Sequence, residues 1–291
     1  MSFVVTGATG QFGRLVVVEL LAAGVAPERI IATGRDRSTL EALGSGLGVR
    51  TRFADLSDRS TLDAAFAGAS RLLLVSTTDV DKRFGNHRNA IDAARTAGVD
   101  LIAYTSQVNA GTSQMLLAEA HSLTEEYLRA SGAPFVILRN GWYLDNYTSQ
   151  LATILERGSV VGAAHDGLVS AASRHDLATA AATVLTQDGH AGASYELGGE
   201  AFTLKQLAAT ISELSGRPVS YQDLPVADFA GALVSAGLPA AFAHVLSNAD
   251  AGIARGDLQT DSDDLQRLIG RKPTTASELL RLTLEAQGTS R

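Results

Sequence analysis

The chain has 291 residues, 45% of them hydrophobic, and a formal net charge of −7. That is enough apolar material for a large core and about two structural units, while the acidic balance leaves no basic footprint for nucleic acid. The absence of cysteine removes disulfides, thiolate catalysis and Cys-ligated metals. No apolar run reaches the ~18 residues of a membrane-spanning helix. The first residues enter a strand with no basic and apolar leader before it, so the sequence reads as a soluble, cytoplasmic protein.

In chain order, residues 3–6 read as an apolar strand, 7–13 as a glycine-rich turn and 13–23 as an amphipathic helix. Gly7, Gly10 and Gly13 are spaced three apart, with Ala8, Thr9, Gln11 and Phe12 between them. Strand, glycine turn and helix in this order are the context of a dinucleotide-binding turn. One glycine permits the tight turn, one lets the backbone approach the pyrophosphate, and one lets the helix pack on the sheet. The helix start then favours phosphates through its free N–H groups and dipole.

Strands follow at 30–33, 49–54, 71–76, 101–105 and 135–139, separated by helices at 37–43, 60–67, 89–97 and 116–131. Continuous apolar strands alternating with helices predict an α/β fold, a Rossmann-like doubly wound parallel sheet with ligands at its carboxyl edge. Residues 1–140 are expected to form this NADP-binding domain. Beyond them the rhythm breaks. Helices are expected at 143–157, 176–185, 203–214, 228–237, 240–254 and 275–285, and short strands at 167–172, 194–197 and 219–222. Residues 141–291 therefore read as a smaller, mostly helical substrate lobe, with some segments returning to the sheet and a frayed tail at 287–291.

Candidate chemistry collects at the strand ends. Arg35 follows the second strand, where an acidic residue would bond the ribose 2′-hydroxyl of NAD and an arginine suits the 2′-phosphate of NADP. Asp36 comes next, so the signal is mixed; Arg35 standing first, after Gly34, favours NADP(H) over a plain surface arginine. Asp55, at the end of the third strand, either accepts from the adenine amino group or caps the next helix. Ser76, Thr77 and Thr78 end the fourth strand, and Thr105 and Ser106 the fifth. Small hydroxyl residues there either let the ribose and pyrophosphate lie against the backbone or cap helices.

His121 and Glu125 are four apart and share a helix face. His121 is then either a proton donor tuned by a carboxylate or half of a surface pair. Asn140, Gly141, Trp142 and Tyr143 leave the sixth strand and run on through Leu144, Asp145, Asn146 and Tyr147. They form either the floor of a planar-ligand pocket or a core tryptophan that closes the seam between the units. Arg174 begins a helix that Asp176 is placed to cap. The other histidines show no ligand spacing, which speaks against a metal.

With these residues in view, the chain resembles the NmrA-like group of atypical short-chain dehydrogenases/reductases. It is most similar there to the bacterial type 2 NAD(P)H:quinone oxidoreductases, relatives of triphenylmethane reductase. The stretches that carry the resemblance are TGATGQFG at 6–13, Arg35, HRNAIDAARTAGV at 87–99, AYTS at 103–106, H-x-x-T-E at 121–125 and LRNGWY-x-x-NY at 138–147. GAAHDG at 162–167, YELGG at 195–199, and ADFAGAL with GLP at 227–239 extend it over nearly the whole chain.

The resemblance implies NADPH-dependent reduction of quinones. It implies a cofactor surrounded by residues 7–12, Arg35, residues 76–78 and residues 140–145. His121 and Tyr143 are then the catalytic candidates, and Trp142, Asn146, Tyr147 and Arg174 the acceptor-binding ones. One departure matters: the Tyr-x-x-x-Lys dyad of the wider superfamily falls on Leu117 and His121. A quinone tolerates this loss, because its hydroquinone anion is a far weaker base than an alkoxide, and water, His121 or a tyrosine hydrogen bond suffices to protonate it. The alternatives are a non-catalytic NADP(H) sensor of NmrA type and a reductase of aromatic dyes or other xenobiotics. The expected partner is a small planar acceptor, with no nucleic acid and no membrane, and the crossover helices before and after the fifth strand offer a homodimer face.

Overall fold

β1 (Phe3–Val5), β2 (Ile30–Gly34), β3 (Arg50–Phe53), β4 (Arg71–Leu74), β5 (Leu101–Gln107) and β6 (Phe135–Asn140) alternate with α1 (Gln11–Ala22), α2 (Arg37–Leu47), α3 (Arg59–Phe66), α4 (Arg83–Thr96) and α5 (Leu116–Ala130) in the computed structural model, which describes residues 1–288. There follow α6 (Asp145–Thr148), α7 (Leu151–Arg157), β7 (Ser159–Gly162), α8 (Arg174–Thr186), β8 (Ser194–Leu197), α9 (Leu204–Ser215), β9 (Ser220–Asp223), α10 (Val226–Ser235), α11 (Ala240–Arg255), α12 (Asp264–Ile269) and α13 (Ala276–Gly288).

The main sheet has seven strands in the order β3-β2-β1-β4-β5-β6-β8, and every pairing is parallel. The parallel α/β sheet expected from the sequence is thus observed. Its strand order reverses between β1 and β4, which opens a crevice at their carboxyl ends. Strand residues alternate between two buried layers, as the two-residue period of a strand requires. Phe3, Val5, Leu73, Ala103 and Leu138 pack under α1 and α8. Val4, Leu72, Leu74, Ile102 and Ile137 pack under α3, α4 and α5. Burial on both faces is why these strands read as unbroken apolar runs.

Residues beyond β6 divide between two places. α8, β8 and α12 complete the main sheet, with Leu177, Leu197 and Leu265 in its core. The remainder builds a second core around Leu144, Leu151, Phe202, Leu207 and Ile253, with β7 and β9 as its own parallel pair. No helix among the described residues is long and apolar enough to cross a membrane.

Several local expectations are corrected. The segment 143–157 is two helices, α6 and α7, broken at Ser149 and Gln150. The strand at 167–172 does not form; only isolated bridges Tyr143↔Ala172 and Val169↔Phe202 remain, because Ser170 N–H donates to Leu258 O at 2.9 Å instead of to a strand. β7 and α12 were not expected. β7 has no partner closer in sequence than β9, so no local signal marks it. α2 runs past the expected end at 43, through Gly44, where a Cβ would sit 2.9 Å from the Thr51 methyl; the glycine allows helix and strand to approach. α4 begins six residues before the expected 89. α13 continues to Gly288, and the rest of the expected frayed tail, 289–291, lies outside the described residues.

Candidate active site

The crevice begins at the glycine turn. Gly7 has φ +59°, the left-handed region that glycine adopts without strain, and its carbonyl accepts from Gly10 N–H at 2.9 Å. A Cβ on Gly13 would strike the Gly7 carbonyl and lie 2.9 Å from Ala8 Cα. α1 starts at Gln11 with no side chain capping its first N–H groups. Gly7, Gly10 and Gln11 are exposed, whereas Ala8, Phe12 and Gly13 are buried. The turn is thus a bare backbone cradle backed by its own side chains, suited to a pyrophosphate.

At the end of β2, Asp36 caps α2 by accepting from Thr39 N–H at 3.0 Å, and it also takes the Ser38 hydroxyl at 3.0 Å. These bonds hold its carboxyl below the ordinary value. Arg37 lies over the Phe53 ring at 4.1 Å. Arg35 remains exposed beside Asp55. Burial raises the Asp55 pKa, but hydrogen bonds from the Ser57 backbone and hydroxyl, with the Arg35 charge, bring it below the ordinary value. Asp55 does not cap α3; Asp58 does, accepting from Ser60 N–H at 3.0 Å.

The ends of β4 and β5 are braced together. Thr6 Oγ1 accepts from Val75 N–H at 2.9 Å, and Thr105 Oγ1 from Ser76 N–H at 2.8 Å. Thr105 and Ser106 are buried, and the Ser106 hydroxyl donates to Glu125 at 2.7 Å. Both therefore serve the frame and do not lie bare against a ligand. Thr78 is exposed and Ser76 half-buried. The Thr77 peptide is gripped from α4: its N–H donates to His87 Nε2 at 3.2 Å and its carbonyl accepts from Arg83 Nε at 2.8 Å.

His121 is not a surface residue, and its hydrogen-bond partner is not Glu125. It is buried, with Nδ1 2.7 Å from the hydroxyl of fully buried Tyr104. Burial, then the Arg83 and His87 charges, push its pKa well below the usual value. Glu125 instead forms the centre of an ion network. Arg139 bonds both its oxygens, at 2.9 and 2.7 Å, and Arg129 adds a bond at 3.0 Å. Arg139 continues to Glu196 at 2.7 Å, and Glu196 accepts from Asn109 N–H at 3.1 Å. Burial raises the Glu125 pKa, but the Arg139 and Ser106 hydrogen bonds overcome it and leave the group lowered.

The segment leaving β6 closes the crevice on its far side. The Asn140 amide is buried beside the Tyr143 hydroxyl, and neither of its polar atoms completes a well-formed hydrogen bond among the described residues. A Cβ on Gly141 would meet the Ser170 and Leu197 carbonyls. Tyr143 stacks on Phe12 of the glycine turn, with ring centroids 6.1 Å apart and planes inclined by 18°. The Arg174 guanidinium lies 4.6 Å from the centre of the same ring.

Arg174 also donates to Asn146 Oδ1 at 2.8 Å, and its N–H donates to Asp145 at 2.9 Å. Asp145, Asn146 and Arg174 are thus engaged with one another as a clamp. Leu144 is buried in the lobe core, half-buried Trp142 packs against that core, and Tyr147 meets Phe202 edge-on at 5.9 Å. Asp176 does not cap α8, since Ser173 does at 3.0 Å; it anchors Arg271 and Thr274 N–H. Arg83 and Asn109 were not singled out from the sequence, His87 stood only among the histidines without ligand spacing, and Tyr104 only as part of the end of the fifth strand. Their partners lie on other elements, so only the spacing of Arg83 and His87, four apart on one helix, hinted at them.

A parallel sheet with a bare glycine turn at its switch point defines a dinucleotide-binding protein. Residues 7–188 match the NAD(P)H-binding family, and the chain belongs to that family. It is 45% identical to quinone oxidoreductase 2 of Escherichia coli (strain K12) over 94% of this chain and 96% of that protein. The crystal structure of the NADPH-dependent quinone oxidoreductase of Escherichia coli complexed with NADPH superposes with a TM-score of 0.92 at 43% identity, covering 97% of this chain and 99% of that one. The Citrobacter sp. triphenylmethane reductase complexed with NADP(H) follows with a TM-score of 0.91 at 37% identity, over 97% and 100% of the two chains.

Proposed function

We propose that the protein is an NADPH-dependent reductase that transfers hydride to quinones. The observation that carries this reading is the 45% identity to a quinone oxidoreductase over nearly the full length, lobe included. Reduced nicotinamide supplies the hydride when bound, and the residues present fit such a cofactor. The missing Cβ at Gly13 lets the uncapped start of α1 pack against the Gly7 carbonyl, which suits a pyrophosphate at the helix start, and the buried Asn140 amide suits a ligand with both donors and acceptors.

In this reading the uncapped N–H groups at the start of α1 hold the pyrophosphate. Arg35 takes the 2′-phosphate, since Asp36 is engaged as a helix cap. Asp55 receives the adenine amino group, and residues 76–78 border the ribose. Asn140 orients the nicotinamide end. Tyr143, stacked on Phe12 and covered by Arg174, holds the two sides of the crevice at a fixed spacing. Burial pushes its hydroxyl pKa up, so it acts as a hydrogen-bond donor. Trp142 and Tyr147 supply aromatic surface for the planar acceptor, and orientation of two rings is the main catalytic task.

The test is NADPH oxidation with a panel of benzoquinones, naphthoquinones and one triphenylmethane dye. Turnover with the quinones is expected. Turnover with the dye alone makes the protein a dye reductase, in line with its likeness to triphenylmethane reductase. Tight NADPH binding with no turnover of either defeats the enzyme reading in favour of an NADP(H) sensor.

A further inference from the structure

A buried polar cluster lies between the sheet and helices α4 and α5, where the superfamily's proton-donor dyad is missing. Its tautomers follow from counting donors and acceptors. His87 Nε2 accepts the Thr77 N–H at 3.2 Å, so its proton sits on Nδ1 and is donated to Thr124 Oγ1 at 3.0 Å. Thr124 passes its own proton to Ala120 O at 2.6 Å. Tyr104 is fully buried, its hydroxyl is 2.7 Å from His121 Nδ1, and the Thr124 hydroxyl beside it is already engaged with His87 Nδ1 and the Ala120 carbonyl. An unpaired buried hydroxyl is costly, so Tyr104 donates, Nδ1 is the bare nitrogen, and the His121 proton sits on Nε2. Nε2 makes no hydrogen bond among the described residues and is not among the fully sealed polar atoms, so it is left for a ligand.

His121 lies one helical turn from the seam of the two units. Met115, Leu117 and Ala118, in and beside the first turn of α5, pack into the lobe core with Trp142 and Leu144. His121 follows Ala118 by three residues on the same helix face. The groups facing it are Tyr104 from β5, Arg83 and His87 from α4, and Thr124 and Glu125 from α5 itself. Burial and the Arg83 charge push His87 down to about 3, and the same causes keep His121 neutral. Arg83 is buried with Nη1 unpartnered. A neutral donor backed by a buried cation disfavours an imidazolium and favours an anion on a ligand.

We propose that Tyr104 is a positioning residue that locks His121 as a neutral Nε2–H donor to the oxygen of the bound acceptor, and that this donor stabilises an oxyanion and does not deliver a proton. The inference rests on the quinone-reductase reading. Hydride transfer moves two electrons and one hydrogen from the reduced nicotinamide to the quinone. The nicotinamide is oxidised, the acceptor becomes the monoanion of its hydroquinone, and that anion takes its proton from water. His121 keeps its own proton throughout, and Arg83 supplies the countercharge.

The test joins a spectroscopic and a kinetic measurement on the full chain. In protein labelled with 15N-histidine, His121 is expected to show a bare Nδ1 and a protonated Nε2, unchanged over roughly pH 5.5 to 8.5. A proton on Nδ1, or an imidazolium in that range, overturns the proposal. In steady state with NADPH and a naphthoquinone, His121→Asn, whose amide lies near the Nδ1 position, is expected to lose ~100-fold in kcat. His121→Gln, whose amide N–H reaches the Nε2 position, recovers most of that loss; equal losses in the two variants sink the idea.

Tyr104→Phe keeps the core volume and is expected to lower kcat ~10-fold with the NADPH dissociation constant unchanged. A weakened NADPH affinity with kcat preserved would assign the donor to the cofactor and refute the assignment to the acceptor. Wild-type turnover separates the two readings: without it the quinone-reductase reading fails, while the tautomer is still decided by the 15N spectra.

Discussion

The turn after β1 and the strand ends of β5 and β6 face the same crevice, yet they are made differently. The first is backbone. The start of α1 carries no side-chain cap, and the contacts of Gly10 and Gly13 with Gly7 and Ala8 lie within seven residues of sequence. The second is a buried ion network in which Glu125, Arg139, Glu196 and Asn109 come from α5, β6, β8 and the loop after β5. A ligand common to a whole family can be held by backbone groups that every sequence has. The side chains at the other end are held in place by charge pairs that tie three elements together.

The contrast can be broken first at Glu125. Removing one member of a buried ion pair leaves uncompensated charge, so Glu125→Ala is expected to cost about 3–5 kcal/mol in urea unfolding. The folded pKa of Glu125 is lowered, so its contribution is present above the unfolded carboxylate value and is lost as pH falls through the folded one. The stability gap between wild type and Glu125→Gln should therefore begin to narrow below about pH 4 and vanish only below the folded value. A gap independent of pH would mean that the network acts through packing alone.

Gly13→Ala probes the other side. A Cβ there has no room against Gly7 and Ala8, so overpacking is expected to cost about 1–3 kcal/mol. NADPH binding followed by fluorescence titration should weaken by ~100-fold, which is about 2.7 kcal/mol. Normal affinity would remove the cradle from the cofactor site.

Arg35→Ala sharpens the cofactor end. Loss of a charge-assisted phosphate contact is expected to raise the NADPH dissociation constant ~10- to 100-fold, with NADH hardly affected. Equal effects on the two cofactors would refute the 2′-phosphate role.

The smallest effect is expected in the lobe. Asp250 accepts from Ala163 N–H at 2.9 Å, and burial pushes its pKa up to about 6. Ionisation therefore opposes folding, beginning above the unfolded value and complete above the folded one. Asp250→Asn keeps an acceptor for Ala163 and should stabilise by about 1–2 kcal/mol at pH 8, with no gain below about pH 4. A gain of equal size at both pH values would point to a packing effect.

The glycine turn, the parallel sheet and the position of Arg35 were legible in the sequence, because each depends on local pattern: glycine spacing, unbroken apolar runs, and one residue's place after a strand. The choice between Arg35 and Asp36 was not. The engagement of Asp36 as a cap at Thr39 N–H, which leaves Arg35 the freer group, requires knowing where α2 begins. His121 and Glu125 looked like one pair because they are four apart; the sheet instead gave Tyr104 to one and Arg139 to the other. The sequence by itself determined the fold class and the cradle, whose contacts span a few residues. Only the tertiary structure decided which buried polar groups share their protons and charges, because those partners meet across elements and a buried donor or charge must be satisfied by whatever the packing brings beside it.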